Sequence, residues 1–171
     1  MINPELTAFL ADWAAAWAPL PASAGPAERR AHFETVAAAT REPTPPGVTT
    51  REHWVTRDDR RVRVREFRPA AARPQPALIY LHGGAWTRGS PETHWDITAG
   101  LAARTGRVVF SVDYAKVPEH PFPAAVNDVR AVVAWLFEQA GAQGVDATRI
   151  AIAGDSSGAN LAAAMTLAFR G

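Results

Sequence analysis

A short apolar run, Ile150-Ala151-Ile152-Ala153, leads into Gly154-Asp155-Ser156-Ser157-Gly158 and then into the helix-forming stretch Ala159-Asn160-Leu161-Ala162. The pentapeptide fits Gly-x-Ser-x-Gly. A serine set in a sharp strand-to-helix turn is held in strained backbone geometry, so its neighbours must be small, as Gly154 and Gly158 are. Such a turn lifts the hydroxyl above the sheet and aims the first helical amides at the same space. Ser156 is therefore a candidate nucleophile. The bland alternative is an ordinary serine in a tight bend, since the pattern alone occurs by chance in many chains. Its place between an apolar strand and a helix is what favours the chemical reading.

Acyl transfer also needs donors directed at the oxygen that becomes negative in the tetrahedral intermediate. His82-Gly83-Gly84-Ala85-Trp86 follows directly on the apolar Pro76-Ala77-Leu78-Ile79-Tyr80-Leu81. Paired glycines let the backbone approach a substrate, and the amides of Gly83, Gly84 or Ala85 can point inward. The amide of Ser157 would complete an oxyanion hole. His82 reads as a structural hydrogen-bonder rather than the general base. The two motifs occur in the order the chemistry requires.

A third segment, Ser111 to Val129, holds Asp113, Glu119, His120 and Asp128 in a proline-rich stretch. These polar groups read as loop-bracing contacts rather than as an acid–base pair. The histidines at 32, 53, 82, 94 and 120 lack metal-ligand spacing, so neither a metal nor a cofactor is expected.

The elements that must position these residues follow from periodicity. Ile2, Leu6, Phe9, Leu10, Trp13 and Trp17 recur at three- and four-residue steps, the stripe of an amphipathic helix stopped near Pro19. A second helical stretch puts Phe33, Val36, Ala37 and Thr40 on one face, and Arg41 to Thr50 reads as a linker. From Arg51 the period changes to two. His53 to Arg57 and Arg61 to Arg68 predict half-buried antiparallel strands, with Val62, Val64 and Phe67 inward and the arginines outward. Three continuous apolar runs near Ile79, Val109 and Ile152 predict strands covered on both faces, and helices are expected over about Thr93 to Thr105, Pro121 to Ala140 and Ser157 to Arg170. On the helix from Pro121, the residues Phe122, Val126, Val129, Val133 and Leu136 share a face, with Pro123 in the first turn. The order β-α-β-α-β-α predicts an α/β fold with a mostly parallel sheet, in which sites form at the carboxyl ends of the strands. The domain organisation expected is a helical N-terminal segment, 1–47, and an α/β core, 48–171.

Composition bounds the partners. The chain has 171 residues, 47% hydrophobic and 20% charged, with a formal net charge of +1, as befits a globular domain with a core. Its basic residues look scattered, which argues against nucleic acid or an anionic membrane as the main partner. No cysteine is present, so disulfides and thiolate catalysis are excluded. An Ala22-Ser23-Ala24 sequence resembles a leader cleavage site, but no Lys or Arg precedes Arg29 and Asp12 interrupts the apolar run, so a cytoplasmic protein is expected. No run approaches the ~18 apolar residues of a membrane span.

With these segments in hand, the sequence resembles the hormone-sensitive-lipase-like (bacterial family IV) esterases of the α/β-hydrolase superfamily. The resemblance runs from about Arg51 to Gly171 and is strongest in Tyr80 to Trp86, Val112 to Val129 and Gly154 to Ala164. It implies a truncated α/β-hydrolase fold with a helical N-terminal cap segment, in which Trp13 and Trp17 line an acyl pocket or pack the cap onto the core. It implies Ser156 as nucleophile, an oxyanion hole of Gly83, Gly84, Ala85 and Ser157, and supporting roles for His82 in the glycine loop and Asp155 in the turn. Departures exist. Ala85 stands where a third glycine is usual, Ser157 and Ala159 replace the commoner Ala and Gly, and Lys116-Val117 replaces a longer stretch.

The resemblance places the family's acid and histidine well beyond the serine, whereas this sequence ends at Gly171. The expectation is therefore an N-terminal portion of a short-chain carboxylic ester hydrolase acting through an acyl-serine, with little activity of its own because an unassisted serine hydroxyl is a poor nucleophile. A non-catalytic ligand-binding fragment, a half completed by another chain, and an amidase or formamidase stay open as alternatives. The strand near Ile150 is expected at a sheet edge, where it invites self-association.

Overall fold

A computed structural model describes residues 3–57 and 60–170; Ile2 and Gly171 lie outside the described residues. Two helices come first, α1 (Pro4–Trp17) and α2 (Pro26–Thr40). Then come strands β1 (Val48–Arg57), β2 (Arg60–Pro69) and β3 (Gln75–Leu81), helix α3 (Trp95–Thr105), β4 (Val108–Asp113), α4 (Ala124–Gln139), β5 (Val145–Gly154) and α5 (Ser157–Ala168). The strands form one sheet in the order β1-β2-β4-β3-β5. β3 pairs in parallel with both β4 and β5, whereas the β1–β2 pair joins β4 antiparallel through β2. β5 closes one end of the sheet, its outer flank unpaired among the described residues.

Helices cover both faces, which is why the central strands are apolar throughout. On one face, Val62, Val64, Ile79, Leu81, Phe110 and Val112 pack against α4 and α5 through Val129, Val132, Leu136, Leu161 and Met165. On the other, Phe67, Tyr80 and Val109 meet Ala99 and Ala102 of α3, with Trp95 edge-on to Phe67 at 4.9 Å.

Several sequence expectations change here. Phe67 is buried, but on the face opposite Val62 and Val64, because its odd position turns it the other way along β2. The arginines are not all outward. Arg68 is buried, its guanidinium held by Glu66, by Gln75 at 2.8 Å and by the Gln143 carbonyl at 2.8 Å. α4 starts at Ala124, not Pro121. Pro123 occupies the cap position and Phe122 is 85% exposed, off the core face, because a residue preceding proline is driven out of the helical region.

The N-terminal helices lean on each other and on the core. Phe9, Trp13 and Trp17 follow one another along α1 at centroid spacings of 6.1 and 5.8 Å, and Trp17 packs on His32 and Phe33 of α2. α1 buries no residue fully. The sequence offers Trp13 and Trp17 an acyl pocket or packing onto the core; in the structure both rings pack on Phe33 of α2, and Arg88 of the core lies above the Trp17 ring. α2 reaches the core through Arg30, whose guanidinium donates to the carbonyls of Thr87 at 3.0 Å and Val117 at 3.3 Å and pairs with Glu119.

Candidate active site

Two turns meet at the carboxyl ends of β3 and β5. Ser156 lies between β5 and α5 with φ 49° and ψ −119°, a conformation that costs a non-glycine residue about 1–3 kcal/mol. It is exposed, and its side chain makes no capping bond to the helix it precedes. The two glycines of the pentapeptide are required by close approach. A β-carbon on Gly154 would lie 2.3 Å from the Leu81 carbonyl oxygen, and one on Gly158 only 1.9 Å from it. The amide of Asp155 donates to that same oxygen at 3.3 Å.

The second turn follows β3. Gly84, Ala85 and Trp86 all have positive φ, at 130°, 52° and 56°. The Gly84 carbonyl collects the amides of Thr87 and Arg88, which closes the turn, and the Trp86 carbonyl accepts the amide of Val117. Among the described residues the amides of Gly84, Ala85 and Ser157 enter no hydrogen bond, so all three are available to an incoming oxygen.

Gly83 is different. Its amide, read from the sequence as a candidate oxyanion donor, is committed to the Asp155 carboxylate at 2.8 Å. That role is corrected. A donor already bonded to a carboxylate cannot also receive a developing oxyanion, and Gly83 instead ties the glycine loop to the serine turn. The same Oδ1 accepts the Tyr80 hydroxyl at 2.9 Å, and His94 Nε2 stands 3.5 Å from it. Burial, with the carboxylate adding to it, pushes the Tyr80 phenol up. Tyr80 and His94 were not singled out in the sequence. Tyr80 could have been, as the one polar tip in the apolar run from Pro76 to Leu81. His94 gave no local signal.

His82 is fully buried and stacks on Tyr114 at 4.3 Å. Its Nδ1–H donates to the Gly83 carbonyl at 2.8 Å, while its own carbonyl accepts the Tyr114 hydroxyl at 2.5 Å. Burial pulls the imidazole down to about 3 and pushes the Tyr114 phenol up to about 12. A neutral, enclosed ring of this kind holds the loop and is not available to Ser156. None of the other imidazoles is hydrogen-bonded to Ser156 among the described residues. His32 donates to the Ala16 carbonyl, His53 bonds Glu66, His94 meets Thr93, and His120 is exposed on the 115–123 loop.

The acidic residues of the third segment serve as braces. Asp128 receives Arg60 and the amide of Ala115, both at 2.8 Å, and Asp113 receives Lys116 at 2.6 Å and Arg63 at 2.8 Å. Between this loop, α4 and α5 lies a cavity of about 390 Å³, lined chiefly by Trp86, Val117, Phe122, Val126 and Leu161, with His120 and Asn160 as polar members. It adjoins both turns, since Trp86 follows Ala85 and Asn160 lies one helical turn after Ser156.

The strand–serine–helix turn and the glycine loop beside it occur within a stretch, residues 78–171, that matches the family described as alpha/beta hydrolase fold. The chain belongs to the alpha/beta hydrolase fold family. Among curated members of similar sequence, carboxylesterase NlhH of Mycobacterium tuberculosis is 42% identical over 103 residues, 60% of this chain and 32% of that protein. The ethyl acetate hydrolase of Pseudomonas putida is 35% identical over 169 residues, 94% of this chain and 53% of that protein. Among solved structures, the thermostable carboxylesterase EstE1 from a metagenomic library superposes with a TM-score of 0.80 at 39% identity, covering 88% of this chain and 52% of its own. This alpha/beta hydrolase chain thus spans between about a third and about half of the length of these relatives.

Proposed function

We propose that this chain carries the nucleophile and the oxyanion donors of a carboxylic ester hydrolase that works through an acyl-serine intermediate. One observation carries the reading. The Gly83 amide bonded to Asp155 locks the glycine loop against the serine turn, and in these two joined turns the Ser156 hydroxyl is exposed while the amides of Gly84, Ala85 and Ser157 enter no hydrogen bond. The ester-hydrolase names of the relatives point the same way. Ser156 Oγ attacks the ester carbonyl carbon. The carbonyl oxygen takes the negative charge and is received by the amides of Gly84, Ala85 and Ser157. The bond to the alcohol oxygen breaks, the alcohol leaves with a proton, and water then hydrolyses the acyl-serine. Proton transfer falls to a base outside the five histidines of this sequence, none of which is hydrogen-bonded to Ser156 among the described residues. The apolar cavity beside Trp86 supports a short acyl or alcohol group as the bound portion. A small ester as partner and a cytoplasmic site of action complete the reading. Among the described residues no helix is long and apolar enough to cross a membrane.

The test is reaction with a fluorophosphonate probe, read by intact mass, together with p-nitrophenyl acetate turnover. The 171-residue chain should label once and slowly at Ser156, with turnover several orders of magnitude below that of an enzyme holding its base. Labelling that persists in Ser156→Ala overturns the reading.

The open flank of β5 supports a second element, association along that strand with another copy or with a completing chain. Light scattering after size exclusion tests it. A monomer at all concentrations counts against association between copies.

A further inference from the structure

The end of the sheet opposite the candidate active site holds a cluster of a different kind. Thr49 and Arg51 of β1 lie across from Arg68 and Glu66 of β2, so all four side chains share one face. Together with Thr50 and Arg73 they line a cleft of about 230 Å³, and a second cleft of about 160 Å³ continues it past Thr49, Arg68 and Arg73. Three guanidinium groups face one carboxylate. That carboxylate is already engaged, for Glu66 bonds His53 at 2.6 Å and Arg68 as well. Arg51 and Arg73 have no hydrogen bond or ion pair among the described residues. Two positive charges in this small concavity are therefore uncompensated, although the whole chain carries a net charge of only +1.

The cleft is also built. The turn after α4 arranges both buried and exposed arginines. The Gln143 carbonyl takes Arg68 Nη2 at 2.8 Å, and the Gly144 carbonyl takes the amide of Gln75 at 3.0 Å. Gly144 has φ 62°, and a β-carbon there would stand 2.7 Å from Arg73 Cδ and 3.2 Å from its Nη1. The Arg73 side chain thus lies flat across a glycine that leaves room for it, which steers the guanidinium toward the cleft instead of letting it range through solvent. Arg68, with its Nε–H spent on Glu66 and one N–H on each of Gln75 and Gln143, keeps two further N–H groups.

We propose that this cleft binds a small oxyanion, the phosphate or carboxylate group of a soluble metabolite, between the guanidinium groups of Arg51 and Arg73, with Arg68 as the fixed positive charge behind them. Planar guanidinium forks match the paired oxygens of such groups. The site is separate from Ser156 and independent of the hydrolytic reading.

Calorimetric titration of the 171-residue chain with sodium phosphate, and separately with sodium citrate, tests it. One-site saturable binding of either is expected, and whichever anion binds tells phosphate from carboxylate recognition. Arg51→Gln with Arg73→Gln should weaken that binding by about tenfold or more, because both charge-assisted forks are lost. Arg104→Gln with Arg130→Gln removes the same charge elsewhere on the surface and should leave affinity unchanged. Gly144→Ala, which displaces Arg73, should weaken binding as well. No saturable binding of either anion, or equal weakening by the two arginine pairs, overturns the proposal.

Discussion

The amide of Gly83 and the carboxylate of Asp155, 2.8 Å apart, connect the loop after β3 to the turn after β5. The two residues are far apart in sequence, yet this bond fixes the distance between the serine and the free amides around it. Removing the acceptor should be felt in stability. Asp155→Ala strands the Gly83 amide and the Tyr80 hydroxyl, and because the carboxylate is half-exposed we expect a loss of about 1 kcal/mol. Asp155→Asn, which keeps an accepting oxygen, should lose less. Urea denaturation of the two variants beside the parent chain measures the difference, and an unchanged midpoint for the alanine variant would refute it.

Ser156 holds a backbone conformation suited to glycine. Ser156→Gly should therefore raise the thermal midpoint, by the equivalent of about 1 kcal/mol, while abolishing fluorophosphonate labelling. A variant more stable and unreactive is the outcome expected of a strained nucleophile. A fall in stability would mean that the turn stores no strain.

His82 gives the chain a pH signature. Unfolded, an imidazole titrates near 6.5; folded, burial holds this one down to about 3. The native state binds fewer protons between those values, so its contribution to stability is complete above about 6.5 and declines as pH falls toward about 3. Denaturation midpoints measured from pH 7 down to pH 4 should slope downward from this source. In His82→Asn the slope over that range should flatten, whatever the absolute stability of the variant.

Arg30 fastens α2 to two loops at once, through the carbonyls of Thr87 and Val117. Arg30→Ala should quicken hydrogen exchange at the amides of Thr87, Arg88 and Val117 by several-fold while leaving the β4 amides protected. Arg30→Lys, able to reach one carbonyl but not to fork, should fall between.

The sequence was legible where one residue type has one physical use. Gly154 and Gly158 predicted a crowded turn because only a missing side chain tolerates a carbonyl at such range. Val109 predicted a covered strand because an uninterrupted apolar run has no solvent face; the run at Ile152 predicted the same, but β5 lies at the end of the sheet, where Ala151 is exposed and Ile152 only partly buried. Where partners lie far along the chain, the sequence was silent. Nothing local to Gly83 says that its amide points to Asp155 and not to a substrate, and nothing near His94 says that it stands beside that same carboxylate. Phe67 misled for a different reason. Alternation assigns it to a face, but both faces of β2 are covered at that point, so burial does not reveal the side. Arg68 escaped because its three partners come from β2, β3 and the turn after α4. The basic residues looked scattered for the same reason, although the fold gathers Arg51, Arg68 and Arg73 at one end.

One carbonyl oxygen, that of Leu81, sits beneath the whole serine turn, receiving the Asp155 amide and facing both Gly154 and Gly158 at distances no methyl group could share. The turn's seat is thus main chain, on a neighbouring strand that is itself paired on both sides, with the Asp155 carboxylate as its side-chain tie. The cavity walls, by contrast, are side chains of a loop and two helices. Changes at Trp86, Phe122 or Val126 can reshape what fits beside the hydroxyl while its foundation stays put, so selectivity in this scaffold is free to drift where position is not.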